Sequence, residues 1–405
     1  MKELFDEGKM TIVQNVGYPN QDLSHFRSTD IWLSASDTEV IDESGWIGRY
    51  LEHRYTDYPD TIPDAPYSIE FATTLSRLNM GKEKNIGFGY IGKTPIPDIH
   101  YKALLQDSSE PEQQVVIQNM KVAKKYLATL NAAMDSVPEN LLKYPLYDAD
   151  FEFNSMAENL AMVARLIASG ISTSIYSITS DLRFDTHDYH LVYHNSALNA
   201  VAGAVSTFQR ELELRGVEDK VILLIYSEFG RRVHPNGSGL DHGSAAPVFI
   251  VGSQASGLVI GDNPNLSDLD DFANLKHHVD FRQIYASLLE QWFGERVSTL
   301  NPYVFPRGFK TLPIIKGFDS SQVLGDTVTM SLFPNPCTDY VVVKTNAVAV
   351  QAVTITTMNA KVFTPEYSFD GLSYIMVPVQ NLAVGEYILN IKTTSRQYNL
   401  KFIKV

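Results

Sequence analysis

Through the first 300 residues, apolar positions recur mostly at helical spacing, broken by short unbroken apolar runs; from residue 329 they alternate with polar ones. The first pattern predicts helices that each bury one stripe. Helical spacing marks residues 45–54, with Trp46, Ile47, Tyr50 and Leu51 on one side, and 115–135, with Val116, Met120, Val122, Ala123, Tyr126, Leu127 and Leu130. It also marks 155–168, 196–215 (Leu198, Val201, Ala202, Val205, Phe208, Leu212) and 280–293 (Phe281, Ile284, Tyr285, Leu288, Leu289, Trp292). Gly216 and Gly294 stand where a helix end takes a left-handed residue, and Asp280 is placed to cap the last helix. Strands are predicted at 10–16, 171–178, 221–227 and 246–251; "VILLIYS" and "APVFIV" show no alternation, as in strands covered on both faces. Strands alternating with such helices predict an α/β layered fold with a mostly parallel central sheet. Beyond 329 helices vanish, and "VTITTM" and "YILNIKT" read with period two, which predicts a small antiparallel β-sandwich. The chain therefore divides into an α/β domain over 1–315, a linker over 316–328 and a β-sandwich over 329–405.

With 405 residues, 44% of them hydrophobic and 20% charged, the chain has apolar material for a sizeable core. A net charge of −14 and the lack of a basic stripe exclude a nucleic-acid partner, because polyanions attract clustered Lys and Arg. No run of eighteen apolar residues is present, so no transmembrane segment is expected. Cys337 is the one cysteine, which rules out an internal disulfide. The residues after Met1 lack the apolar stretch of a signal peptide; together with the tail described below, this gives the expectation that the N-terminus is incomplete.

Three clusters carry candidate chemistry. Asp185-Thr186-His187 follows a predicted strand, and residues two apart on an extended segment point to the same side. Carboxylate and imidazole together suit a divalent cation such as zinc; the alternative is a loop leading into a helix, with Asp185 as its cap. Ser227-Glu228-Phe229-Gly230-Arg231 ends the strand at 221–227, and strand carboxyl ends are where open α/β sheets place their sites. Glu228 is there a candidate ligand, and Arg231 and Arg232 candidates to neutralise a phosphate or sulfate oxygen; the alternative is a salt-bridged strand end. Asp241-His242-Gly243 follows a glycine-rich loop, where glycine permits close backbone approach. His190 and His194 are expected in the loop before the third helix, and His277 and His278 are further candidates.

Two stretches of the chain resemble known families. The tail, with Ser331-Leu332-Phe333-Pro334-Asn335-Pro336, Leu382, Gly385-Glu386-Tyr387-Ile388-Leu389 and a final "KFIKV", resembles the type A sorting domain of type IX secretion. Cys337 departs from that pattern, which has an aliphatic residue there. The alternative for the tail is an immunoglobulin-like binding module. The resemblance implies a partner in the type IX secretion machinery, engaged through residues 329–405, and a protein that is secreted or attached at the cell surface. The body, with "NVGYPNQDLSHFRSTDIW", "SGWIGRYL", "FDTHDYH", "YSEFGRR", "GLDHG" and "DFRQIYASLLEQWFG", resembles the domain-of-unknown-function 1501 family of the alkaline-phosphatase-like superfamily. Such proteins begin with a strand ending in a Gly-Gly-x-Asp-Gly motif, which this sequence does not contain.

That second resemblance implies one or two divalent metal ions, with zinc expected, held by Asp185, His187, Glu228, Asp241 and His242. It implies a Ser or Thr nucleophile at a helix start, which points to Ser24, with Arg27 and Arg231 as clamps on the transferred group; as a plain reading, Ser24 is an N-cap and His25 a structural hydrogen-bonding group. The expected function is an exported metal-dependent hydrolase acting on phosphate or sulfate esters of a small molecule or glycan. A non-catalytic surface or adhesion protein that keeps the fold is the alternative, and a metal-dependent mutase a lesser one.

Overall fold

The structure, a computed structural model, describes residues 1–92, 111–147, 153–300, 303–305, 307–318, 330–345, 350–357, 359, 361–369, 374–393 and 397–405. Most of the linker expected at 316–328 lies outside the described residues. The chain forms two compact units, Met1–Phe309 with Ile314–Lys316, and Lys310–Pro313 with Gly317–Val405.

The first unit is mixed α/β. Its described helices are α1 Lys2–Asp6, α2 His25–Ser34, α3 Trp46–Arg54, α4 Pro111–Ser136, α5 Ser155–Ala168, α6 His190–Leu214, α7 Phe281–Gln291 and α8 Val297–Leu300. Its strands are β1 Met10–Gly17, β2 Ser68–Glu70, β3 Gly87–Gly89, β4 Ile175–Ser177, β5 Leu223–Ile225, β6 Gly230–Arg231, β7 His242–Gly243, β8 Ala246–Val251, β9 Val259–Ile260 and β10 Val279–Asp280. β1 pairs in parallel with β9 and then β10, and antiparallel with β8, which pairs antiparallel with β5. A second, smaller sheet sets β3 and β4 parallel on either side of β2.

The larger sheet is thus mixed rather than mostly parallel. The reason lies between β5 and β8. A parallel crossover needs a dozen or more residues, usually including a helix, whereas 226–245 holds only the two-residue β6–β7 ladder and its loop. An unbroken apolar run reports burial and not strand direction, so the sequence pattern was compatible with either.

Two helices also differ in phase or extent from the apolar pattern. Near the start of α4 Ile117 is buried while Val116 is 57% exposed, and Tyr126 and Leu130 are buried further along. α6 starts at His190, not 196, and buries Ala197, Ala200 and Ala204 beside Val205, Phe208 and Leu212, leaving Leu198 outside. Small residues there let α5 approach, and both helices share one core cluster with Leu160, Val163 and Ala164.

An aromatic stack ties α2 to α7. Trp32 is stacked between Tyr226 (4.8 Å, 9°) and Phe281 (4.3 Å, 20°), and Tyr285 stacks on Trp46 (4.3 Å, 16°). α7 begins with a capping box: Asp280 accepts from the Arg282 backbone N–H, and Gln283 reaches back to the Asp280 N–H (3.2 Å). The Arg282 side chain, 1% exposed, donates to Asp280 and, across the fold, to Asp37 (2.6 Å).

The second unit is antiparallel throughout its described strands. One sheet runs β11 (Met330–Phe333), β12 (Tyr340–Thr345), β16 (Tyr374–Pro378), β15 (Ser368–Phe369); the other runs β14 (Val362–Phe363), β13 (Val350–Thr357), β17 (Gly385–Thr393), β18 (Gln397–Lys404). Val341, Val343, Ile375 and Val377 from the first meet Val353, Ile355, Leu389, Ile391 and Phe402 from the second in one core. Cys337 is buried there, and its thiol donates to the Ile403 carbonyl (3.4 Å).

Asp280→Ala removes the α7 cap and leaves the buried Arg282 charge half-paired. Breaking a buried pair this way costs about 3–5 kcal/mol, to be read as a lower urea midpoint for the first unit. Asp280→Asn keeps the cap acceptor and is expected to lose less.

Candidate metal centre

Four segments supply the site: the start of α2, the loop 184–189, the turn after β5, and β7. Asp22 opens the first by accepting from the Ser24 N–H (2.7 Å), and Ser24 is the N-cap residue of α2. Ser28, one turn in, is buried and bonded to the Tyr18 hydroxyl (2.9 Å), which anchors the first turn. His25 is thereby held at the head of a helix whose Trp32 indole donates to the Glu228 carbonyl (2.8 Å). α2 and the turn after β5 are linked in this way.

Glycines let the other segments close. In the β6–β7 ladder Gly230 faces Gly243 and Arg231 faces His242. A Cβ on Gly243 would sit 2.4 Å from the Arg231 carbonyl carbon, so a side chain there would open the ladder. Gly239 passes still closer to the 184–189 loop: its Cβ would lie 1.9 Å from the His187 carbonyl oxygen. That crossing is fixed by backbone bonds from Leu240 to Thr186 (3.1 Å) and from His190 to Ser238 (3.0 Å).

Three imidazoles converge on Asp185. His25 Nε2 is 3.4 Å from Asp185 Oδ2; His187 Nε2 and His242 Nε2 are 3.1 and 3.2 Å from Oδ1, and 2.9 Å from each other. Each ring has its other nitrogen against an acceptor. His25 Nδ1 donates to Glu228 Oε1 (2.6 Å), His242 Nδ1 donates to the Leu23 carbonyl (2.7 Å), and His187 Nδ1 faces Asp241 Oδ1 (3.4 Å). A carbonyl or carboxylate oxygen only accepts, so the proton sits on Nδ1 and the Nε2 lone pair points into the cluster. Phe229, buried, packs against both His25 (4.8 Å) and His242 (4.5 Å) and fixes their ring planes from below.

The donor set fits a divalent ion. Around a tetrahedral ion with bonds of about 2.0–2.1 Å, ligand atoms lie roughly 3.4 Å apart; the three imidazoles stand 3.1 to 3.4 Å from Asp185, and His187 and His242 are 2.9 Å apart. His25 Nε2 is buried and makes no hydrogen bond within the protein, which a buried polar atom avoids unless something else occupies it. His25, Asp185 and His242 each bring one donor atom within 4.8 Å of the others. Carboxylate behind imidazole is the arrangement that orients histidine ligands in metal sites.

The site therefore differs from the expectation in several places. Asp185, His187 and His242 turn donor atoms inward, while Glu228 and Asp241 stand behind His25 and His187. His25, read from sequence as a structural group, joins the inner set. The clue was its spacing to Glu228, which only the fold reveals. Arg231 does not stand free as a clamp: it donates to Asp185 Oδ1 (2.6 Å) and to the carbonyls of Phe184 and Leu240 (both 3.0 Å). Arg27 turns away and donates to the carbonyls of Thr38 (2.6 Å) and Val40 (2.8 Å), bracing the loop after α2. Ser24 is exposed and makes no side-chain cap bond, so its hydroxyl is not used in starting the helix. His190 and His194 lie in the first turns of α6, stacked on each other (4.7 Å) with His190 bonded to Thr186 (2.6 Å), and burial pushes both their pKa values down. His278 faces Asp262 (3.8 Å), and the His277 side chain packs beside Gly17.

Charge at the centre is set by Asp185. Partial burial pushes its pKa up, but the Arg231 guanidinium, which donates to Oδ1, outweighs this and holds the carboxyl well below the usual carboxylate range. Asp241 is held low as well, first by the Asn236 amide and then by His187. Both carboxylates are ionised at any pH at which histidine is neutral and able to bind metal.

The two kinds of position separate in a metal titration. His25→Ala or Asp185→Asn removes an inner donor and is expected to abolish tight zinc binding in competition with a chelator. Glu228→Gln keeps an acceptor toward His25 and should weaken zinc by about 10–100-fold without abolishing it. Gly239→Ala should match the donor variants, because the 184–189 loop must move to admit the methyl group.

A family model described as "Protein of unknown function (DUF1501)" matches residues 96–294, which include Asp185, His187, Glu228, Asp241 and His242 but not Ser24, His25 or Arg27. No curated protein and no solved structure matches the chain. Among the described residues no helix is long and apolar enough to cross a membrane. The family model "Secretion system C-terminal sorting domain" matches residues 331–405, so the chain ends in a type IX sorting domain, which implies export and attachment at the cell surface.

Proposed function

We propose that the protein is an exported, metal-dependent hydrolase of the alkaline-phosphatase-like kind, acting on phosphate or sulfate esters. The observation that carries this reading is the convergence of three Nε2 lone pairs on one ionised carboxylate, each ring held from behind. A divalent ion, zinc by donor type, would supply Lewis-acid polarisation of an ester oxygen when bound. His25, Asp185 and His242 would hold it and leave a position open for the ester oxygen, with His187 beside them; Glu228, Asp241 and the Leu23 carbonyl keep the imidazoles in the ligating tautomer. Arg231 keeps Asp185 ionised. Ser24 is the candidate nucleophile: it neighbours His25, is open to solvent, and lies at a helix N-terminus, where developing negative charge is favoured.

The engagement of Arg27 and Arg231 with the protein itself favours a second reading. With neither arginine left over to grip a transferred group, the centre would serve a non-catalytic surface protein as a structural metal site. Hydrolysis separates the two readings. Zinc-loaded protein is expected to cleave 4-nitrophenyl phosphate or 4-nitrophenyl sulfate, and Asp185→Ala to lower kcat/KM by at least about 10³-fold, since several kcal/mol of charge stabilisation leave with the ion. Zinc-loaded, folded protein inert toward both esters would favour the structural reading.

A further inference from the structure

The loop between β6 and β7 carries the one Asn-Gly pair in the chain, Asn236-Gly237. Asn236 and Gly239 face each other across a hairpin tip. The Asn236 N–H donates to the Gly239 carbonyl (2.9 Å), and the Gly239 N–H to the Asn236 carbonyl (3.3 Å). Gly237 takes the first place of the two-residue turn, with φ 66°, a backbone that favours glycine there. Asn236 and Gly237 are both exposed, and a Cβ on Gly237 would meet nothing within 4 Å beyond its chain neighbours. Among the described residues the Gly237 N–H donates to no protein group.

The 184–189 loop is tied to this tip. Ser238 accepts at its hydroxyl from the Tyr189 N–H (3.1 Å) and at its carbonyl from the His190 N–H (3.0 Å). Gly239 crosses the His187 carbonyl at a separation that admits no Cβ. Asn236 adds a further tie: its side-chain amide donates to both oxygens of Asp241 (3.2 and 3.3 Å), whose Oδ1 lies 3.4 Å from His187 Nδ1.

We propose that Asn236-Gly237 is a modification site at which the protein deamidates itself, and that the product loosens the seat of the 184–189 loop. The Gly237 nitrogen gives its proton to water and bonds to Asn236 Cγ; the Cγ–Nδ2 bond breaks and the nitrogen leaves as ammonia. Water then opens the succinimide ring at either carbonyl, leaving aspartate or isoaspartate with no change in oxidation state. Glycine suits the first step because it lacks a side chain to shield its nitrogen. Either product puts a carboxylate where the amide donated, against Asp241, and like charges repel. Isoaspartate also runs the main chain through the side-chain carbon, one methylene longer. Hairpin register is set by loop length, so the lengthened turn no longer closes the Asn236–Gly239 pair. These ties hold the loop whether or not an ester is cleaved at the centre.

Ageing the full chain in warm, mildly alkaline buffer tests this. Peptide mapping by mass spectrometry is expected to find the amide-to-acid mass gain at Asn236 ahead of Asn263, Asn265 and Asn274, with an isoaspartyl fraction. In the aged protein, hydrogen exchange at the Tyr189 and His190 amides should quicken at least three-fold, and zinc affinity should fall about ten-fold, as when a partner behind a ligand is lost. Asn236→Gln would have to close a larger ring and should resist the modification, keeping its own fresh exchange rates and zinc affinity through the same treatment. Deamidation at Asn236 no faster than at the other three asparagines overturns the proposal. So does complete modification that leaves exchange or zinc affinity unaltered. Fresh protein that binds no zinc would overturn the metal centre instead, and the exchange rates alone would then decide for or against the loosened loop.

Discussion

The centre depends on imidazoles pinned by their far nitrogens. Were Nδ1 of His25 or His242 free to rotate toward Asp185, the cluster would be a set of mutually satisfied hydrogen bonds with no vacancy in its chemistry. Glu228 and the Leu23 carbonyl prevent this, because each only accepts and each sits at hydrogen-bond distance from Nδ1. What remains are lone pairs turned toward one carboxylate that Arg231 keeps charged. The demand this makes on the fold is positional: four segments far apart in sequence must arrive within one ligand-to-ligand distance.

The fold meets that demand by close backbone approach and by stacking. The Gly230–Gly243 pair lets β6 and β7 meet so that Arg231 and His242 lie side by side. Gly239 lets the following turn cross directly over His187. From the other direction, Trp32 joins α2 to the Glu228 backbone while wedged between Tyr226 and Phe281. The capped α7, with Arg282 bridging Asp280 and Asp37, fixes the ring stack from behind.

Much of this was legible in the sequence, and the parts that were not share a cause. The helices at 46–54, 155–168 and 281–291 and the strands at 10–17 and 246–251 follow directly from apolar spacing, as does the alternation of the sorting tail. Asp185, His187 and His242 could be singled out because metal-binding residue types recur at short spacing near strand ends. Strand direction between β5 and β8 was not legible, because burial on two faces looks alike in either orientation. Neither was the division of labour between carboxylates: Glu228 and Asp241 have the right chemistry for ligands, and only three-dimensional placement shows each behind a ring. The role of His25 was hidden for the same reason, since its partner is 203 positions away. The sequence offers Arg27 and Arg231 as clamps on a transferred group, whereas both half-buried guanidinium groups donate to carbonyls of the protein, and Arg231 also to Asp185.

A zinc X-ray absorption spectrum of the loaded protein tests the central claim most directly. The expected spectrum shows a first shell of nitrogen and oxygen at about 2.0–2.1 Å with the multiple-scattering pattern of two or three imidazoles, reduced by one imidazole in His25→Ala. A shell without imidazole scattering, or one unchanged by that substitution, would contradict it.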